Sequence, residues 1–390
     1  MKKRSLATER MSNDIFSNST TALRAVCAIA FCVFAFVYVY FYQADTLSQT
    51  QYVLSGGKTI YNRTVGAILI PLVLILVQKV LCRIVSKIDS RFYALTYLPS
   101  FLLLAFLTDI DMEVDGHFEV GKWIWGGPIL LAVWVMTIIA VSKVLPPKQS
   151  FHPFHSALYW SNLSVMCVMM IGVGCLSNSN DVFHYRMKCE HCLMAGDYDK
   201  ALKVGEKSDK TDASLTMLRV FALAHQGMLG ERLFSYPVAG TSSDIVPQTG
   251  DARLMQLSPD SVYKMLGAIP RKGMSTHDYI NAIVKSGQAT DVVVDYRLCG
   301  MLIDKDLDGF VQLLVETRKI DDTLPKHYRE ALTLYSHRRA NPIAVYHNTV
   351  MDTDYNDMQK LESTGKSAGE RKIKVLEQYS GTYWYYYDYR

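Results

Sequence analysis

Cys189-Glu190-His191-Cys192 is the stretch of this 390-residue chain that most invites chemistry. Three roles are open to it: a metal site, a redox pair, or two small side chains sharing one helix face. A structural zinc ion needs four ligands. No second Cys-x-x-Cys or histidine pair follows, and Cys299 stands alone. On a helix His191 points about 100° away from Cys192. A thioredoxin-like pair needs a βαβ setting, and the surrounding pattern offers none. Packing is the expected role, because free cysteine behaves as a small hydrophobe. Oxidation stays open, because the segment is expected outside the cytoplasm, where thiols can be oxidised.

Two carboxylate clusters raise the question of calcium. Asp109, Asp111, Glu113, Asp115 and Glu119 fall in one acidic loop. Counted from Asp111, the twelfth position of a calcium loop, which wants a bidentate Glu, is Lys122. Asp304, Asp306, Asp308 and Gly309 spell D-x-D-x-D-G, but the closing position is Val315, with Glu316 one residue late. Aspartates at a helix start also cap free N–H groups and complement the dipole, and that is the expected role here. No catalytic, cofactor-binding or metal-ligating residue is assigned.

The elements that must position these residues divide at 177–180, Ser-Asn-Ser-Asn. Long apolar runs lie before it, at about 25–44, 64–82, 92–108, 123–142 and 157–176. A helix needs roughly 20 residues to cross the hydrocarbon layer. The second and third runs are short but suffice with interfacial anchors. The first is too long for a signal-peptide core and reads as an uncleaved anchor, after a cytoplasmic segment at 1–24. Eleven basic residues, among them Lys2, Arg24, Arg83 and Lys143, fall on one side of the five spans. Only Lys58, Arg63 and Lys122 fall on the other. By the positive-inside rule the N-terminus is cytoplasmic and residues 181–390 lie outside, as expected of a multi-pass inner-membrane protein. No span carries an ionisable residue near its middle, which argues against an ion-coupled transporter. A formal net charge of +4 gives no case for nucleic acid.

From residue 181 the apolar spacing is helical. Ala195 to Leu202, A-G-D-Y-D-K-A-L, resembles the turn of a tetratricopeptide (TPR) repeat, with Gly196 as the turn glycine and Ala201 on the small-residue slot. Cys189 and Cys192 then face inward on the first helix. Gly227 lies 31 residues after Gly196, and Lys305 takes the glycine position 109 residues after it. The alanine slot becomes Arg232 and Phe310, so the repeats are degenerate. Further helices are expected at 258–266, 279–286, 292–302, 325–339, 358–367 and 370–378, with a loop at 239–248. The tail at 379–390, with Tyr379, Tyr383, Trp384, Tyr385, Tyr386, Tyr387 and Tyr389, has three open roles. It could cap the last repeat, sit at the membrane interface, or bind a partner or glycan.

Together the five-span front, A-G-D-Y-D-K-A-L, G-M-L-G-E-R-L-F-S-Y-P, D-K-D-L-D-G-F-V and L-P-K-H-Y-R-E-A-L resemble an uncharacterised group of bacterial multi-pass membrane proteins with a C-terminal TPR-like domain. The resemblance covers most of the chain, least well 237–290, and implies no reaction. The expected architecture is all-α: a five-helix transmembrane bundle at 25–176, then a TPR-like solenoid at 181–378. The expected function is a membrane-anchored scaffold embedded in the lipid bilayer, with a protein or peptide partner on the helical domain. The alternatives are a cell-envelope enzyme, such as a lipid-linked glycosyl transferase, using the acidic loop at 109–119, and a thiol oxidoreductase using Cys189 and Cys192.

Overall fold

The structure, a computed structural model, describes residues 21–84, 90–109, 121–144 and 156–390. The described residues are helical with no strand. They divide into two compact units, Met1–Asn180 and Asp181–Arg390.

The first unit contains α1 (Thr21–Tyr42), α2 (Ala44–Leu54), α3 (Arg63–Ile84), α4 (Leu98–Thr108), α5 (Trp123–Val144) and α6 (Ser156–Leu176). Among the described residues, four helices are long and apolar enough to cross a membrane: Thr21–Tyr42, Arg63–Ile84, Trp123–Ala140 and Tyr159–Leu176. The first starts before the expected residue 25, and its last five residues, Tyr38–Tyr42, are π-helical. The polar helix α2 was not expected, because A-D-T-L-S-Q-T-Q-Y-V-L carries no apolar stripe.

The run at 92–108 is built differently from the others. A 3-10 helix, Ser90–Tyr97, leads into α4, with a kink at Phe92 (φ −121°, ψ 20°). Pro99 at the start of α4 has no N–H, so it cannot serve the carbonyl four residues back. That carbonyl, on Leu95, instead accepts the Trp134 indole N–H of α5 at 2.8 Å. The Ala94 N–H donates to Asn162 Oδ1 of α6 at 2.8 Å. Neighbouring helices thus satisfy the backbone groups that this segment cannot satisfy itself. Tyr97, Phe101, Leu104 and Ala105 are buried at its centre, with Phe31 of α1 against Phe101 edge-on at 5.0 Å.

Side-chain ties show that the apolar segments run alternately up and down. At one end the Arg24 guanidinium lies over the Tyr93 ring, and Gln78 Nε2 donates to Thr96 Oγ1 at 2.8 Å. At the other, Arg63 lies over Tyr40, Asp109 accepts from Lys122 Nζ and from Trp123 Nε1, and the Asn178 N–H donates to the Thr108 carbonyl.

The second unit contains twelve labelled helices. They are α7 (Asp181–Met194), α8 (Tyr198–Lys203), α9 (Ala213–His225), α10 (Leu229–Arg232), α11 (Pro259–Leu266), α12 (Thr276–Lys285), α13 (Val292–Ile303), α14 (Leu307–Thr317), α15 (Lys326–Arg338), α16 (Thr349–Ser363), α17 (Ala368–Tyr379) and α18 (Tyr383–Tyr389). Three hairpins, α7/α8, α9/α10 and α13/α14, share one turn. Gly196, Gly227 and Lys305 have φ of 73°, 66° and 61°. The amide after each reaches back to Cys192, Leu223 and Met301 respectively, at 2.9 Å in all three. This is the Schellman arrangement, which favours glycine because an L side chain resists positive φ. Asp197 and Asp306 then cap the next helix, accepting from the Lys200 and Gly309 amides. α10 is a single turn, followed by a short 3-10 stretch, Leu233–Ser235. α16 begins earlier than the expected residue 358, because Asn348 caps it by accepting from the Val350 and Met351 amides.

The aromatic run at the end is a helix within the core, with Tyr383, Trp384 and Tyr385 almost fully buried. Glu330 of α15 organises it. Its Oε2 accepts from the Tyr383 N–H at 2.7 Å and from His327 Nδ1 at 2.8 Å. The Phe234 N–H donates to His327 Nε2 at 3.2 Å, so the ring hydrogen sits on Nδ1, facing Glu330. The Trp384 Nε1–H donates to the Glu330 carbonyl at 2.7 Å. Glu330→Ala leaves two buried donors unpaired, which costs on the order of 3 kcal/mol. The unfolding midpoint of the purified chain should fall by about 6 °C or more, measured by near-ultraviolet circular dichroism of the aromatic cluster.

Candidate functional site

The Cys-x-x-Cys lies on α7. Cys189 is fully buried within the apolar core of the second unit, Cys192 is half-buried, and both are free thiols. Burial pushes the Cys189 thiol up to about 12 and raises Cys192 as well, the opposite of a reactive cysteine. His191 meets Gln256 Oε1 at 3.1 Å. Among the described residues no three His, Cys, Asp or Glu side chains group as metal ligands.

The residue of this stretch that matters most to the fold is Glu190, which sequence reasoning passed over. It is fully buried, and its carboxylate accepts three consecutive backbone N–H groups, from Met255, Gln256 and Leu257, at 2.6–2.8 Å. Burial pushes its pKa up, while these donors and Arg186 pull it down. Arg186 also donates to the Arg253 carbonyl at 2.9 Å. α7 therefore holds the long segment between α10 and α13 in place. The sequence signal was a charged residue on the buried face of an amphipathic helix.

The three aspartates after α13 do not converge. Asp304 accepts from the Ser242 N–H and hydroxyl, Asp306 caps α14, and Asp308 takes a two-pronged contact from Arg339. In the acidic loop, Asp109 is held by Lys122 and Trp123. Asp111, Glu113, Asp115 and Glu119 lie outside the described residues.

Where the long segment returns to α13 it leaves a half-open cleft of about 260 Å³. Its walls are the 3-10 turn Ser242–Asp244, α12 and α13. The turn is rigid. Asp244 Oδ2 accepts from the Thr241 N–H and hydroxyl, and its Oδ1 accepts from the Asp251 N–H. Thr276 Oγ1 ties α12 to the Ser243 carbonyl at 2.6 Å. Gly300 lets the turn approach α13, since a Cβ there would stand 3.3 Å from Ser242 Cβ. Tyr296, Arg297 and Asp304 line the α13 wall, and Ile245, Ile280 and Met301 supply apolar surface. Burial pushes the Asp244 carboxyl up, but the Thr241, Asp251 and Ala252 donors outweigh it and hold the pKa below the usual range.

The fold and this geometry define an all-helical protein in which an apolar helical front precedes a unit of helical hairpins. Residues 124–270 and 271–390 match DUF6057, a family of unknown function, and the chain belongs to that family. The match takes in α6 and the whole second unit, including both sides of the cleft. No curated protein and no solved structure matches the chain.

Two outcomes follow. Burial keeps the Cys189 thiol protonated at pH 8 and out of reach of solvent. Iodoacetamide should therefore leave Cys189 unlabelled in the native chain and label it only after denaturation, as read by mass spectrometry. Asp244 has a depressed pKa, so its contribution is complete above the unfolded value near 3.9 and is lost as pH falls through the folded value. Hydrogen-exchange protection of the Thr241 and Asp251 amides should hold at pH 5 and fail only after the pH has dropped below the ordinary carboxylate range, and Asp244→Asn should weaken it already at pH 5.

Proposed function

We propose that this chain is a membrane-anchored scaffold of the bacterial cell envelope, with five spans and an extracytoplasmic TPR-like domain that binds a protein or peptide. The observation that carries this reading is the shared turn of the three hairpins, repeated down to the same reach-back hydrogen bond at a lysine. Stacked helical hairpins present extended surfaces suited to peptide segments. α7 packs on both α8 and α9, and α13, α14 and α15 pack in succession, as neighbouring repeats do.

The lipid-embedded part of the reading is supported by broad apolar exposure. Ile68, Leu72 and Leu76 of α3, Ile129, Val133 and Met136 of α5, and Val168 and Ile171 of α6 face outward. Apolar surface of that extent is rare on soluble monomers. The count of five is supported by the up-and-down order and by the 3-10 stretch. A 3-10 helix rises about 2.0 Å per residue against about 1.5 Å in an α-helix. Residues 92–108 therefore reach roughly 28 Å, close to the hydrocarbon thickness. Orientation rests on the basic residues, which favour a cytoplasmic N-terminus. The envelope-enzyme reading has less support, since Asp109 is committed to a structural contact.

Alkaline phosphatase, active only outside the cytoplasm, and a fluorescent protein that matures inside it, each fused after Ser179, test the arrangement. Phosphatase activity without fluorescence is expected; fluorescence there overturns it. In cells carrying the phosphatase-positive topology, photo-crosslinking residues on exposed positions of α7–α18 should give discrete adducts with one partner. A lack of adducts at every position would remove the scaffold role.

A further inference from the structure

Exposed lysines such as Lys200, Lys210 and Lys360 each hold an aspartate at 2.6–2.8 Å. The stretch joining α11 to α12 is different. Between Asp260 and Asp278 it carries Lys264, Arg271 and Lys272 and no carboxylate. All three are exposed, as is Lys285 on the last turn of α12, and none of the four makes an ion pair among the described residues. Asp278 is engaged by the Ser275 hydroxyl at 2.7 Å. Amid these charges Ile269 is 64% exposed, and Val284, beside Lys285, is exposed too. The loop has a fixed shape. Gly267 has a φ of 123°, and a Cβ there would run into the Gln288 carbonyl oxygen. The Thr290 N–H donates to the Leu266 carbonyl at 3.2 Å, and the Tyr279 hydroxyl donates to the Ala268 carbonyl. The end of α11 therefore lies against the chain that follows α12, and Ile269 comes next. A turn closed by the Met274 N–H on the Arg271 carbonyl presents Arg271 and Lys272.

We propose that this loop docks on the anionic lipid surface of the bilayer that holds the first unit. Ile269 enters below the phosphates, and Lys264, Arg271, Lys272 and Lys285 lie among them. The proposal rests on the membrane-anchored reading and adds a second contact with the same bilayer. Only residues 177–180 separate α6 from α7, so the second unit stays within reach of lipid at a high effective concentration. Basic side chains around an aliphatic one match a headgroup layer, where the charges are attracted and the apolar chain is buried. A nucleic-acid surface would satisfy the cations and leave Ile269 in water. Each basic residue near an anionic leaflet strengthens binding about fivefold. A loop already held in shape loses little freedom on docking.

The test is hydrogen exchange of the full-length chain in nanodiscs of phosphatidylglycerol and in nanodiscs of phosphatidylcholine. The amides of Ile269, Arg271, Lys272 and Gly273 should exchange at least about tenfold more slowly in phosphatidylglycerol. Amides in the core of α9 should exchange alike in both. Sodium chloride at about 1 M, where charges are screened beyond about 3 Å, should erase the difference. Lys272→Gln should speed exchange of the docked loop about fivefold. Ile269→Ser should also weaken the protection and keep its salt dependence. Both side chains are exposed, so the melting temperature should hold in each variant; a purely structural role would lower it. Equal exchange in the two lipids overturns the proposal, as does protection that survives the salt. Protection that appears only when phosphatidylglycerol vesicles are added to chains in phosphatidylcholine discs puts the contact on another bilayer and overturns it as well. A chain that stays out of the discs rejects the membrane-anchored reading together with this contact. A chain held in the discs with an unprotected loop rejects the contact alone.

Discussion

A carboxylate taken out of water must be met by donors, and in the second unit that demand shapes the packing. Glu330 is almost wholly buried and gathers groups from three places far apart in the chain: the Phe234 amide through His327, His327 itself, and the Tyr383 amide. Apolar contacts alone tolerate sliding, whereas this set of donors fixes one register of α15 against α18 and the stretch after α10. Glu190 does the same for the long segment between α10 and α13. The cleft depends on both, because one fixes the hairpin frame and the other brings the 3-10 turn to α13.

The first unit meets a related requirement without charge. Backbone groups within an apolar environment must be satisfied by protein. Pro99 breaks that rule locally, and Trp134 and Asn162 restore it from neighbouring helices. The central segment can therefore be thin, extended and partly 3-10, while α3, α5 and α6 show apolar faces outward.

Much of this was legible in the sequence where a pattern is local. Apolar runs fixed the position of the long helices, and the turn at Gly196 carried over to Gly227 and even to Lys305, because the hydrogen bonds there are made within six residues. Asp306 caps α14, as expected of an aspartate at a helix start, whereas Asp304 and Asp308 are drawn off to Ser242 and Arg339, partners that the local pattern does not show. What was not legible depends on partners distant in sequence. Glu190 looked like a spacer between two cysteines, yet its donors lie more than sixty residues away. Tyr383 to Tyr386 looked like a tail, yet their pocket is built by α13 and α15. The cleft had no sequence signature, because its walls come from the least repeat-like part of the chain.

The placement of α18 has a consequence for biosynthesis. It is the last described helix to be translated, yet its rings fill space among α13, α15 and α17. Until it emerges, the Leu302 and Ile303 carbonyls lack the Tyr383 and Tyr386 hydroxyls that cover them. The earlier hairpins must therefore wait, partly open, until α18 packs among them. A variant lacking residues 383–389 would carry every upstream element and still present a raw hydrophobic seam where those rings pack.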